Sequence, residues 1–205
     1  MRSRSTRLGW PVELHEGPVG LRPLHARDLR VWTEIRQRSE SWLRPWEATP
    51  PPPAEPYMMS FRQMVRLHAA QGRADESLPW AVTYNGRLAG QLNVSNIIWG
   101  SARMGTIGYW LDVDLAGHGI MPTAVAMAVD YCFFVCGLHR LEVNIRPENR
   151  ASLRVVEKLG FREEGLRPKL LHIDGEWRDH RSFALTAEDV PEGLLRRWRS
   201  SRLAP

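Results

Sequence analysis

At 205 residues, with 43% apolar and 25% charged side chains, the chain has room for one compact domain with short tails. This composition excludes wholesale disorder and a fibrous protein. No apolar run approaches the roughly 18 residues needed to cross a bilayer, and the basic start leads into no apolar stretch of secretory type, so a cytoplasmic protein without membrane contact is expected. Of 28 cationic residues only Lys158 and Lys169 are lysine; with the many Ala and Pro, that bias reads as a GC-rich genome rather than a phosphate-binding surface. Arg2, Arg4 and Arg7 lie at one end and Arg196, Arg197, Arg199 and Arg202 at the other, which leaves 21 cations against 23 anions in residues 8–195. The body is therefore no specific nucleic-acid module. Solvated basic tails are expected at 1–9 and 191–205, flanking a domain at 10–190.

In chain order, a short strand at 19–22 precedes an amphipathic helix at 28–39, with Leu29, Trp32 and Ile35, and at most Arg36 beside them, facing inward. Ser41-Trp42-Leu43-Arg44-Pro45-Trp46-Glu47 then leads into Pro50 to Pro53 and Pro56; consecutive prolines forbid helix, so the segment is expected to be a stiff loop. Ser60 is placed to cap a second helix at 61–71. Alternation predicts a strand at 78–84, Asn85-Gly86 a hairpin turn, and 87–97 the returning strand. A strand at 106–113, a glycine loop, a helix at 122–136, a strand at 141–145 and a helix at 149–159 follow. Residues 161–171 and 177–185 form a hairpin around Asp174-Gly175. The result is an α/β (α+β) domain on a mixed, mostly antiparallel, seven-stranded sheet, with crossovers at its fourth and fifth strands. Cys132 and Cys136 read as buried, reduced core thiols, since two cysteines alone make neither a zinc site nor a disulfide framework. His15, His25, His68, His139, His172 and His180 lack metal-ligand spacing and read as structural; no metal is expected.

The chemistry concentrates after the fourth strand. A strand, a glycine turn and a helix start present unpaired N–H groups and a partial positive charge to a phosphate. Here the donors are Gly117, His118, Gly119, Ile120 and Met121; Pro122 suits the first helical turn, and His118 adds a donor when protonated. The loop is not a Gly-x-x-x-x-Gly-Lys-Ser/Thr loop, and the strand order is not that of a dinucleotide fold.

Further on, Asn149-Arg150-Ala151-Ser152 opens a helix that closes with Gly160-Phe161-Arg162-Glu163-Glu164-Gly165. This pattern, with Gly108-Tyr109-Trp110-Leu111 and Gly117-His118-Gly119-Ile120, resembles the GNAT N-acetyltransferases from about Gly17 to Ala187. Leu43-x-Pro45-Trp46-Glu47, His139-Arg140 and the stretch Ile173 to His180 resemble the RimJ/RimL branch, and its RimJ members most. Ala116 and Met121 depart from the general family loop, a change that leaves the backbone donors intact. The carboxylate used as base in some RimL-like members falls on Leu171 and is not carried over.

The resemblance implies a single GNAT-like domain, a sheet splayed at its fourth and fifth strands, and helices on both faces. It implies acetyl-coenzyme A as cosubstrate and direct attack by the N-terminal α-amine of a protein, with a ribosomal protein as the partner. Within that frame residues 117–121 hold the pyrophosphate, and Leu111 and Val113 pair with the pantetheine amides. The N–H near Leu111 faces the oxyanion, Asn149 reaches the pantetheine arm or caps its helix, and Ser152 protonates the leaving thiolate. Glu142, which shares a strand face with Asn144, is the candidate base, with Glu47 or a water relay as its competitors. Trp46 and Glu47, with Trp42, are candidates for binding the substrate amine. A monomer or a homodimer fits equally. Three other readings stay open: an acetyltransferase of a small amine such as an aminoglycoside or polyamine, for which the segment 40–60 offers only Glu40, Glu47 and Glu55; a non-catalytic acyl-CoA-binding module; and an unspecific nucleic-acid binder through the terminal arginines.

Overall fold

The computed structural model describes residues 7–54 and 59–203; Arg2, Arg4, Glu55 and Pro56 lie outside the described residues. The chain runs β1 (Leu14–Glu16), β2 (Val19–Pro23), α1 (Leu29–Arg38), α2 (Glu40–Leu43), α3 (Phe61–Arg73), β3 (Leu78–Tyr84), β4 (Arg87–Ile98) and β5 (Met104–Leu111). It continues with α4 (Ile120–Asp130), β6 (Arg140–Ile145), α5 (Arg150–Leu159), β7 (Arg162–Ile173), β8 (Glu176–Thr186) and α6 (Leu194–Leu203). All eight strands form one sheet in the order β1-β2-β3-β4-β5-β6-β8-β7. The eighth strand beyond the expected seven is β1, three residues long and too short for an alternation to register.

Every neighbouring pair is antiparallel except β5 and β6. That parallel pair holds register only at Met104↔Arg140, Gly105↔Leu141 and Thr106↔Glu142. Beyond Thr106 the two strands part, which is the expected splay. The larger core lies on the sheet face covered by α4, α5 and α6, where Leu92, Val94, Ile107, Leu141, Val143, Val156 and Leu159 are buried together. A smaller core, Leu24, Ile35, Phe61, Ala81 and Leu88, lies under α1 and α3 on the opposite face. Cys132 and Cys136 are free and buried in the larger core.

Local chemistry explains the element ends. Ser60 and Gln63 close a reciprocal capping box on α3, and Asn149 caps α5 by accepting from the Ser152 N–H at 3.0 Å. Along α1, Ile35 is fully buried, whereas Leu29, expected to face inward, is 43% exposed.

Two expectations are corrected. Residues 40–46 are not an irregular loop: α2 and a 3₁₀ turn at Arg44–Trp46 occupy them. Pro45 falls in the first turn, where its missing N–H costs nothing, and the proline run itself bends into a turn in which the Ala54 N–H donates to the Pro51 carbonyl at 3.1 Å. Nor are the described residues 191–203 a solvated tail. Their helix α6 buries Leu194 and Trp198 against α4, and the Asp130 carboxylate accepts from the Leu194 and Leu195 N–H groups at 2.6 and 3.1 Å. At the other end Leu8 is buried, its carbonyl accepting from the Tyr131 hydroxyl at 2.8 Å.

Candidate active site

A groove of about 710 Å³ runs along the parting of β5 and β6. Its floor comes from the end of β5, Gly108 to Leu111, and one wall from the glycine loop and the start of α4. The start of α5 contributes Asn149, Ala151 and Ser152, and the far end is closed by Trp42, Trp46, Glu47, Met64 and His68.

The glycine loop owes its shape to two left-handed residues, Gly117 at φ +85° and Gly119 at φ +76°, a conformation that costs a residue with a Cβ roughly 1–2 kcal/mol. Gly119 is the N-cap of α4, so the Ile120 and Met121 N–H groups have no partner within the helix. Behind it, Thr123 Oγ1 donates to the Gly119 carbonyl at 2.9 Å and accepts from Trp198 Nε1 at 2.9 Å. Helix α6 thus braces the loop. His118 turns away: its Nδ1 lies 3.1 Å from the Ala116 carbonyl, and its side chain is not part of the groove wall.

The free edge of β5 is the second backbone element. Asp112 N–H donates to the Ala89 carbonyl at 2.8 Å, on the β4 side. Alternation then points the Leu111 N–H and C=O the other way, toward β6, where no strand pairs with them. This placement suits an extended amide ligand.

Val113, expected to share that role, lies past the strand in a 3₁₀ turn. Its N–H already donates to Ser39 Oγ at 3.2 Å, and it is absent from the groove wall. The neighbouring Asp112 is buried and bound by the Arg38 guanidinium, one bond measuring 2.9 Å. The chain here is anchored to the α1–α2 junction, with the Val113 N–H already engaged.

Ser152 Oγ donates to the Tyr109 hydroxyl at 2.8 Å, and that hydroxyl lies 3.3 Å from the Ser152 carbonyl. Burial holds the Tyr109 phenol well above its ordinary pKa, so it remains protonated at neutral pH. The pair puts two hydrogen-bonded hydroxyls at the groove. Tyr109 carried no assigned role in the sequence, because only the fold brings β5 and the start of α5 together. Arg154 and Lys158 add two cations to the α5 wall, one turn apart on the helix, a spacing visible in the sequence but without meaning until the wall is known.

Glu142 is displaced from the site. It is 5% exposed, its Oε1 accepts from Arg140 at 2.8 and 2.9 Å, and its Oε2 from Arg167 at 3.0 Å. With both oxygens bound by guanidiniums and no part in the groove wall, it is badly placed to act as a base. The strand alternation that put Glu142 opposite Leu141, Val143 and Ile145 holds; the polar face it predicts is occupied by Arg140 and Arg167.

Trp46 and Glu47 do reach the groove. Arg146 stacks over the Trp46 ring at 5.3 Å and donates to the Pro45 carbonyl at 2.7 Å. The Glu47 carboxylate is ion-paired with Arg36, whose guanidinium lies over the Trp32 and Trp110 rings at 5.7 and 5.4 Å. Thr49 N–H donates to the His172 carbonyl at 2.9 Å, tying this rim to the β7–β8 hairpin. A second, polar cavity of about 570 Å³, lined by Arg7, Asp75, Ser77 and Trp99 among others, shares Asn93 with the groove. Among the described residues, no group of three His, Cys, Asp or Glu side chains is placed to hold a metal ion, and no helix is long and apolar enough to cross a membrane.

A left-handed glycine loop at a helix start, beside a parted parallel strand pair, is the geometry of an acyl-coenzyme A site. The chain matches the acetyltransferase (GNAT) domain over residues 19–162 and belongs to that family; it is an N-acetyltransferase that draws its acetyl group from acetyl-coenzyme A. Within the family it is RimJ-like. It is similar to Mycobacterium smegmatis RimJ, solved in complex with CoA-disulfide, with a TM-score of 0.86 and 35% identity covering 95% of this chain and 96% of that one. It is also similar to the ribosomal protein uS5-alanine N-acetyltransferase of Escherichia coli (strain K12), 30% identical over 190 residues, 89% of this chain and 94% of the relative. A third likeness, to Probable N-acetyltransferase YjcK of Bacillus subtilis (strain 168), is 43% identical over 103 residues, 50% of this chain, and spans only 57% of that relative.

Proposed function

We propose that the chain acetylates the N-terminal α-amine of a protein, with a ribosomal protein as the first candidate, in a ternary complex in the cytoplasm. The observation that carries this reading is the sharing of one groove by the glycine loop, the free edge of β5 and the Ser152–Tyr109 pair. In it the N–H groups of Gly117, His118, Gly119, Ile120 and Met121 hold the pyrophosphate, and Leu111 pairs with the pantetheine. Asn149 keeps the turn before α5 in place, and Arg154 and Lys158 add positive charge along the same wall. The Leu111 N–H meets the oxyanion as the amine attacks the thioester carbon. Ser152 then protonates the departing thiolate, with Tyr109 replenishing its proton.

The acceptor enters between Trp42, Trp46 and Glu47. A protein substrate needs space beyond its first residue, which a small amine does not, and the polar cavity on the other side of Asn93 supports that reading. Similarity to the uS5-alanine enzyme favours alanine as the first residue.

The test is thiol release from acetyl-coenzyme A with peptides differing in their first residue. Turnover on alanine-initial peptides is expected. Release with spermidine or kanamycin but with no peptide would overturn the protein-substrate reading, and tight cofactor binding with no turnover on any amine would leave an acyl-CoA-binding module.

A further inference from the structure

Four buried side-chain atoms have no hydrogen-bond partner among the described residues: His68 Nδ1, Ser77 Oγ, Asn93 Oδ1 and Arg178 Nε. Leaving a polar atom buried and unpaired costs free energy, so each calls for a reason. Two of the four, His68 and Asn93, belong to the groove wall. Side chains alternate along β5: Tyr109 packs with the core under α4 to α6, and Trp110 with the core under α1 and α3. Ser152 and Tyr109 therefore attend the groove from the α5 face, whereas His68, on α3, attends it from the other. Asn93 lies opposite Gly108 in the β4–β5 ladder. A thioester whose sulfur is served by Ser152 would leave the side toward α3 open to the amine.

The amine must lose a proton before it attacks, and few groups here can take it. Apart from His68, the titratable side chains of the groove wall among the described residues are Glu47, Tyr109, Arg154 and Lys158. Glu47 is ion-paired with Arg36, Tyr109 stays protonated, and the other two are cations. Burial pushes the His68 imidazole below its ordinary 6.5, so at neutral pH it carries a free lone pair. Sequence spacing marks this histidine as structural; only the docking of α3 puts it at the groove.

We propose that His68, which lines the groove from α3, is the general base of acetyl transfer. The proposal rests on the reading of this groove as the place where acetyl-coenzyme A meets an amine, and it does not depend on which amine. A primary ammonium brings three protons. One passes to the His68 imidazole, which frees the lone pair that forms the C–N bond. As the tetrahedral intermediate collapses, the C–S bond breaks, its electron pair leaves on sulfur, and Ser152 supplies a proton to the thiolate. The second nitrogen proton restores the Ser152–Tyr109 pair, the amide keeps the third, and the imidazolium releases its proton to water.

The experiment is single-turnover acetyl transfer against pH, with saturating acetyl-coenzyme A and whichever amine the unaltered protein accepts. The unaltered protein should lose rate only as the pH falls through a pKa below 6.5. His68→Gln should slow transfer roughly 10²–10³-fold and move the limb up toward the amine's own pKa, about 8 for an α-amine. Acetyl-coenzyme A affinity should stay within about threefold, since cofactor binding lies on the other face. Added imidazole should restore part of the rate to His68→Ala and none to Ser152→Ala. A His68→Gln profile that overlays the unaltered one, or a limb near 8 in the unaltered protein, would overturn the proposal even if the variants proved unstable. If only small amines are acetylated, the protein-substrate reading fails while this test remains decisive.

Discussion

The two ends of the groove are built in different ways. The cofactor end is made of backbone: two left-handed glycines, the first turn of α4 and the unpaired edge of β5. The acceptor end is made of long side chains from α2, the 44–47 turn, α3, β4 and β5, held by stacked cations and one ion pair. The first end asks of the sequence chiefly glycine at its two left-handed positions, because its donors are backbone amides. The second end changes with each side chain, and under the proposed function it is where substrate choice would reside. Their supports differ as well: the glycine loop is braced by Trp198 from α6, and the tryptophan rim by Arg146 and the β7–β8 hairpin.

That division is broken most directly by Gly119→Pro. Proline fixes φ near −65°, against +76° at this position, and should abolish acetyl-coenzyme A binding measurable by calorimetry. An unchanged affinity would remove the loop from the cofactor end. Trp198→Ala should lower the unfolding free energy by about 3–5 kcal/mol and weaken the cofactor more than the peptide, as read by denaturant titration and by the two binding constants; equal weakening would deny that α6 braces only one end. Ser152→Ala should reduce kcat roughly 10²-fold with cofactor affinity nearly unchanged, whereas equal losses in both would make Ser152 a capping or binding residue.

Smaller effects sharpen the acceptor end. Trp46→Ala should raise KM for a peptide by about tenfold, a loss of about 1.4 kcal/mol, while acetyl-coenzyme A affinity holds. The smallest effect expected lies outside the groove. Arg140, then Arg162, hold the Glu164 carboxyl down at about 2. A depressed carboxyl contributes stability above its unfolded value near 4.5, and that contribution is lost as the pH falls toward 2. Because the pair is partly solvated, Glu164→Gln should flatten the acid limb of stability by about 1 kcal/mol or less and leave turnover at pH 7 unchanged.

Much of this architecture was legible in the sequence. Hydrophobic period and turn residues placed β3 and β4 around Asn85-Gly86 and α3 behind Ser60, and the hairpin at Asp174-Gly175 forms with both residues at positive φ. The loop at 117–119 announced itself because a left-handed turn before a helix nearly requires glycine. Errors arose where a side chain's meaning depends on distant partners. Glu142 shares its strand face with Asn144 as expected, yet Arg167, 25 residues away, occupies its carboxylate. The arginine-rich end is helical because Trp198 finds Thr123, 75 residues back, and the Val113 N–H is turned to Ser39, 74 residues away.

By itself, then, the sequence determined the order of the longer elements and the glycine turn, because these are written in periodicities and turn chemistry that act within about ten residues; the parted sheet was implied by the family resemblance. Only the tertiary structure decided which polar groups face the groove. It set Tyr109 against Ser152, withdrew Glu142, docked α6 behind the loop and brought His68 to the acceptor side. Those outcomes depend on burial and on partners supplied by other elements, and neither is a property of a residue's own neighbourhood in the chain.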